Sequence, residues 1–228
     1  MEKHTQIIEF YGLPGCGKST LLESLVSDTG QTVSFCTLHD VGNQFKRASL
    51  GAKLGSVPVA CWWYTLCYIC SVPRIPLRKW KLYRSFFYIS MLYRFAGKKA
   101  SSFDYLVVDH GMYQAAISVL YGHAETLSET SWKWLKKSVS KLDVDYLVYC
   151  NISVATSVSR IRARGRKNNG RLDMLTSDEE LKSVLNKQQA LFAHEYDLLP
   201  DQSYSLDMEP EPQIVYNQMQ SILVKDAE

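Results

Sequence analysis

A short apolar run, Gln6–Tyr11, leads straight into Gly12-Leu13-Pro14-Gly15-Cys16-Gly17-Lys18-Ser19-Thr20. Glycine is costly inside any regular element, so three of them within six residues point to a use that outweighs the cost. The spacing is GxxxxGK[ST], set between a strand-like run and an amphipathic helical stretch, Lys18–Ser27. A triphosphate needs many donors at close range, and main-chain N–H groups supply them when the chain wraps around the anion. Glycines permit the required dihedrals and remove side chains that would block the approach. The helix that starts near Lys18 turns its positive end toward the phosphates. Lys18 adds a mobile cation for the β and γ groups, and the Ser19 hydroxyl is offered to Mg2+. Residues 12–20 are therefore expected to hold ATP and Mg2+.

The rest of the chain supports a parallel α/β fold. Strands are expected at Gln6–Tyr11, Thr32–Thr37, Tyr105–Asp109, Asp145–Asn151 and Gln202–Asp207. The first, third and fourth are nearly continuous apolar runs, the pattern of strands covered on both faces. Helices are expected between them, at Lys18–Ser27, Asn43–Lys53, Val59–Cys70, Leu77–Phe95, Met112–Tyr121, Ser131–Lys141, Ser153–Arg164, Asp178–Tyr196 and Glu211–Val224. Ser153 is placed to cap one of these, and Ser177 with Glu180 reads as a capping box. Strands separated by helices require crossover connections. With 228 residues, 46% of them apolar, and no repeat or clear linker, a single domain over 1–228 is expected.

Charge is unevenly distributed. Val41–Phe103 has no Asp or Glu and eleven Lys and Arg, so with +3 overall the remainder carries about −8. The same stretch holds 13 of the 27 aromatic residues, among them Trp62, Trp63, Trp80, Phe86 and Phe87. Rings together with Arg74, Arg78, Lys79, Lys81, Arg84 and Arg94 suit a planar or sugar-like acceptor carrying an anionic group. Leu77–Phe95 is also a basic amphipathic helix, which leaves peripheral contact with a membrane surface open. Leu54–Pro73 is uncharged, but Gly55, Ser56, Pro58, Thr65 and Ser71 interrupt it, so a buried helix is expected there rather than a membrane span. The six cysteines offer one CxxC, Cys67 and Cys70, with no second pair and no His pair at zinc spacing. They read as reduced thiols of a cytoplasmic protein. No signal peptide is recognised in the polar N-terminus.

Further residues fit the chemistry of the loop. Asp109 closes the strand "YLVVDH", and ligands of an open parallel sheet sit at the carboxyl ends of its strands. A carboxylate there can hold Mg2+ through water or orient a hydroxyl. Asp40 closes the second strand in the same way and is the alternative base. Gln114, one turn into the next helix, could contact substrate. In "SRIRARGRKNNGRLD", six basic residues fall between Arg160 and Arg171. Arg160 and Arg164 share a helix face, and "KNNG" then breaks the helix. Arginines on such a flap can offset the charge of a transferring phosphoryl group. This segment lacks the interleaved aromatics of a nucleic-acid patch, so no nucleic-acid partner is expected. "NKQQA" at Asn186 lacks the Asp of a guanine-recognition motif, which argues against a GTP-hydrolysing switch.

On these segments the chain resembles the P-loop kinases, specifically the thymidylate kinase-like branch of nucleoside and nucleotide kinases. The resemblance implies a three-layer P-loop NTPase fold. It implies a parallel five-stranded sheet in the order 2-3-1-4-5 with helices on both faces. The region 41–103 would be a helical acceptor-binding insertion and 160–173 an Arg-rich lid. "LVVDHG" is similar to the family's strand that ends in Asp beside the acceptor. Arg160, Arg164 and Arg171 fall where the family's lid arginines approach the ATP phosphates. "YSLDMEPEPQIVYNQMQSIL" resembles its closing strand, adenine loop and last helix. The implied catalytic set is Lys18, Asp109, Arg164, Arg160 and Asp40, and homodimers are common in the family. The chain departs from the family at His110, where Arg is usual, and in "HDVGNQ", where Glu-Pro is usual. The resemblance thus implies phosphoryl transfer rather than thymidylate itself as acceptor. A nucleotide-binding regulatory or scaffold protein is the alternative.

Overall fold

The computed structural model describes residues 5–27, 34–71, 79–99, 103–118, 128–142, 144–164, 172, 177–197 and 203–225. In chain order these form β1 (Gln6–Gly12), α1 (Lys18–Ser27), β2 (Phe35–Thr37), α2 (Leu38–Arg47), α3 (Leu50–Gly55), α4 (Val59–Ser71) and α5 (Lys79–Lys99). There follow β3 (Tyr105–Val108), α6 (Met112–Ser118), α7 (Glu129–Val139), β4 (Tyr146–Asn151), α8 (Val154–Ala163), α9 (Asp178–Asp197), β5 (Ser203–Asp207) and α10 (Pro212–Lys225).

The five strands form one sheet in the order β2-β3-β1-β4-β5, the expected 2-3-1-4-5, and every pairing is parallel. β1 lies in the centre, with Ile8 opposite Val107 on one side and Tyr146 on the other. Its alternate residues show why the sequence reads as a continuous apolar run. Tyr11 packs on Tyr113, Tyr149 and Phe192, while Ile8 and Phe10 point the other way and are just as completely buried. Helices therefore cover both faces of the sheet. Such a strand cannot alternate polar with apolar residues without leaving a polar group buried.

Several boundaries move from those expected. The segment between β2 and α4 is two helices, α2 and α3, with Ala48 extended between them and Ser49 capping α3. The second strand ends at Thr37, so Asp40 lies in the first turn of α2 rather than at a strand end. Thr37 and Asp40 form a reciprocal capping box: the Asp40 N–H donates to Thr37 Oγ1 at 3.2 Å, and the Thr37 N–H donates to Asp40 Oδ2 at 3.1 Å. Ser153 caps α8 as expected. At the start of α9 the side chain reaching Ser177 is that of Glu179 rather than Glu180. α4 is not wholly buried: Cys61, Thr65, Tyr68 and Ile69 face inward, while Val59, Trp63 and Leu66 are exposed. Cys67 is half-buried and Cys70 exposed. Among the described residues, no helix is long and apolar enough to cross a membrane.

Candidate active site at the carboxyl edge of the sheet

β1 ends at Gly12, and the chain turns at once because three glycines take dihedrals that other residues resist. Gly12 has φ +146°, and a Cβ there would land on the Cys150 carbonyl of β4. Gly15 has φ +82°, and its Cβ would crowd the Ser157 carbonyl and Ile161 of α8 at 3.1 Å. The loop is anchored from outside as well. Ser157 Oγ donates to the Pro14 carbonyl at 2.6 Å, and the Gly12 N–H donates to Gln114 Oε1 at 3.1 Å. Gln114, read from the sequence as a possible substrate contact, here faces the backbone of the loop.

Lys18 begins α1 and is only 6% exposed. Its ammonium donates to the Gly12 carbonyl at 2.9 Å, the Leu13 carbonyl at 3.1 Å and Cys16 Sγ at 3.3 Å. It is thus folded back across the loop it is expected to tip. The Cys150 thiol hydrogen-bonds to the Cys16 sulfur, and with Lys18 alongside this holds the Cys16 thiol well below its ordinary range, although burial opposes the shift. Burial pushes the Cys150 thiol up, and its hydrogen bond to Cys16 adds to the rise.

Ser19 and Asp109 are 90 residues apart in sequence, and the structure brings them together: Ser19 Oγ donates to Asp109 Oδ2 at 3.1 Å. β1 and β3 are adjacent, so the residue just past β3 faces the first turn of α1. A hydroxyl and a carboxylate side by side are hard oxygen donors, the kind Mg2+ takes. This pair fits the ion.

Arg160 and Arg164, at the end of α8, lie on another side of the loop. Together with Gly15, Cys16, Gly17 and Thr20 they line a cavity of about 530 Å³, whose far wall is Met208, Pro210, Pro212 and Val215. Arg160 Nη1 donates to the Cys16 carbonyl and Nη2 to the Met208 carbonyl, both at 3.0 Å. It therefore ties the loop to the turn after β5. Arg164 is exposed at the end of α8. Arg171 and most of the 160–173 segment lie outside the described residues. Asp40 is not brought to Ser19; its carboxylate is engaged in the α2 cap. His110 is exposed.

Glu9 went unnoticed in the sequence. It is the acid in the middle of β1, between Ile8 and Phe10, and it is completely buried. Its Oε1 accepts from the Tyr113 N–H at 2.7 Å and its Oε2 from the Tyr93 hydroxyl at 2.9 Å. The carboxylate so pins the start of α6 to β1, next to Gln114, whose side chain holds the loop. A side chain at Gly111 would collide with Glu9 and Tyr93. Burial pushes the Glu9 carboxyl up to about 7, against the pull of the Tyr93, Tyr113 and Gln114 hydrogen bonds. The folded state thus holds this proton more tightly than the unfolded chain, whose ordinary value is 4.5. The resulting stability is complete below that value and is lost as pH rises toward 7, a change of about 3 kcal/mol. Glu9→Gln does not titrate and can still accept from Tyr113. Urea melts at pH 5 and pH 8 are expected to show the variant gaining about 3 kcal/mol on the wild type between the two. Parallel pH profiles would mean that the Glu9 carboxylate is not what titrates.

A second cavity, of about 640 Å³, lies among α2, α3 and α5 within the acid-free region. Phe45, Phe87, Tyr88, Lys46, Lys53 and Arg84 line it.

The fold is similar to that of solved structures of deoxyadenosine kinase from M. mycoides. The one with dCMP and a flexible dCDP bound as products superposes with a TM-score of 0.52 and 16% identity, over 96% of this chain and 100% of that one. The one with bound dCTP gives 0.53 and 15% over 96% and 100%, and the one with bound dATP gives 0.50 and 16% over 96% and 98%. The parallel five-stranded sheet in the order 2-3-1-4-5 with helices on both faces matches the fold of these structures. At such identity the similarity is one of architecture. No protein-family model and no curated protein matches the sequence.

Proposed function

We propose that the protein is an ATP- and Mg2+-dependent kinase that moves a γ-phosphoryl group to a nucleoside, a nucleotide or a related small acceptor. The observation that carries this reading is the convergence of Lys18, Ser19 and Asp109 on a loop of glycines at positive φ. The glycine cradle fits a polyphosphate, and the cavity beside it fits the rest of a nucleotide. Ser19, with Asp109 through a water, would hold Mg2+, which would neutralise charge on the phosphates.

The chain's own groups divide the remaining work. Loop amides and the start of α1 orient the polyphosphate. Lys18 exchanges its contacts with loop carbonyls for the β and γ oxygens. Arg164 approaches from the cavity rim to offset charge on the group in flight, and Arg171 from the lid is assigned the same task. The acceptor hydroxyl bonds to the γ-phosphorus as the bond to the β–γ bridging oxygen breaks, and its proton passes to Asp109. Asp109 is favoured over Asp40 because Asp40 is engaged at its helix cap. The acceptor lies among the helices of 41–103, where rings and unopposed cations line the second cavity. The narrower assignment to the thymidylate kinase-like branch is supported by the order of motifs along the chain.

Arg164→Ala is expected to lower kcat by on the order of tenfold or more with little change in KM for ATP, since its contact forms as charge develops. A raised KM at constant kcat would make it a ground-state binder. The reading as a whole is tested by screening nucleosides, nucleoside monophosphates and sugars for acceptor-dependent ATP consumption. A phosphorylated product from any of them supports it. ATP binding with no product from any class would favour a nucleotide-binding scaffold.

A further inference from the structure

α4 has no charged residue, and only one of its sides is buried. The outward side carries Val59, Trp63 and Leu66, exposed by 69%, 63% and 40%. These positions recur at helical spacing and share one face. α3 extends the same character just upstream, with Leu50 and Leu54 exposed by 73% and 62%. A single exposed apolar side chain needs no explanation, but three along one face of an uncharged helix do.

Cations accompany this face, in the chain upstream and in space on α7. Lys46 and Arg47 close α2 and are exposed. In space, α7 packs along α4, with the Tyr64 ring stacked on Trp134 at 6.0 Å. Lys137 sits over both rings, and Lys133 and Lys136 beside it are exposed. Opposing charge is sparse: 41–103 contains no acid, and Glu129 is the one acid within α7.

Charge decides what covers the patch. A second copy laid face to face would bring lysines against lysines, which costs association energy. A bilayer containing anionic phospholipid meets both requirements, with negative headgroups for the lysines and an acyl boundary for Val59, Trp63 and Leu66. We propose that the α4–α7 face docks the protein peripherally on anionic phospholipid membranes. This does not depend on the phosphoryl-transfer reading.

The test is co-sedimentation with vesicles of phosphatidylcholine alone and of phosphatidylcholine mixed with phosphatidylserine. Binding is expected on the mixed vesicles only, with a blue shift of tryptophan emission and loss of binding at high salt. Trp63→Ser combined with Leu66→Ser is expected to abolish the binding. Lys133→Gln, Lys136→Gln and Lys137→Gln together are expected to weaken it on the order of 100-fold. All five side chains are on or near the surface, and circular dichroism with a thermal melt verifies that each variant is folded. Equal binding to both vesicle types, or mixed-vesicle binding untouched by the α4 variants, would overturn the proposal. So would a solution dimer that Trp63→Ser disperses, since the patch would then be covered by a second copy.

Discussion

Lys18→Ala is expected to abolish acceptor-dependent ATP turnover. The ammonium is the cation built into the loop, and in the proposed reaction its contact with the β and γ oxygens would strengthen as charge shifts toward the leaving group. Loss of one such donor lowers kcat by on the order of 10²–10³. The substitution also has a structural cost, because the Gly12 and Leu13 carbonyls lose a buried donor. That costs about 1–3 kcal/mol, so the melting temperature is expected to fall without loss of the fold. Turnover measured on protein shown to be folded separates the two effects. A folded variant with unchanged turnover would remove Lys18, and with it the phosphate-loop assignment.

Asp109→Asn is expected to impair catalysis while keeping the structure. The Asn carbonyl can still accept from Ser19, so the 3.1 Å contact survives and only the charge is lost. Loss of a positioned base lowers the rate by on the order of 10²–10⁴. The Mg2+ dependence tells which task the carboxylate performs. A rate restored by higher Mg2+ would mean that Asp109 holds the ion. A rate that stays low at saturating Mg2+ would make it the base. Wild-type rates throughout would move the base to Asp40, whose carboxylate would then have to leave its cap.

The central strands were legible in the sequence because burial on both faces leaves no room for alternation, and β1, β3 and β4 are apolar for that reason. The segment after β2 was harder to read. Thr37 and Asp40 look alike as strand end or helix cap until the chain folds, and the reciprocal hydrogen bonds decide for the cap. α4 misled for a related reason. An uncharged stretch records that charge is absent, not which side meets solvent, and its exposed Trp63 is indistinguishable in sequence from the half-buried Trp62 beside it. Glu9 was hidden because its partners, Tyr93 and Tyr113, are 84 and 104 residues away.

What the sequence determined by itself was local: a loop whose glycines must take unusual dihedrals, a lysine and a serine at its end, and helices between apolar strands. These follow from spacing along one stretch of backbone, where sterics and hydrogen-bond reach act over a few residues. What the tertiary structure decided was everything that depends on two distant segments meeting. It set Asp109 against Ser19, Arg160 across the Cys16 and Met208 carbonyls, Glu9 under the start of α6, and the lysines of α7 beside the bare face of α4. Parallel strand pairing and the packing of helices on the sheet bring those groups together, and no periodicity in the chain encodes the distances between them.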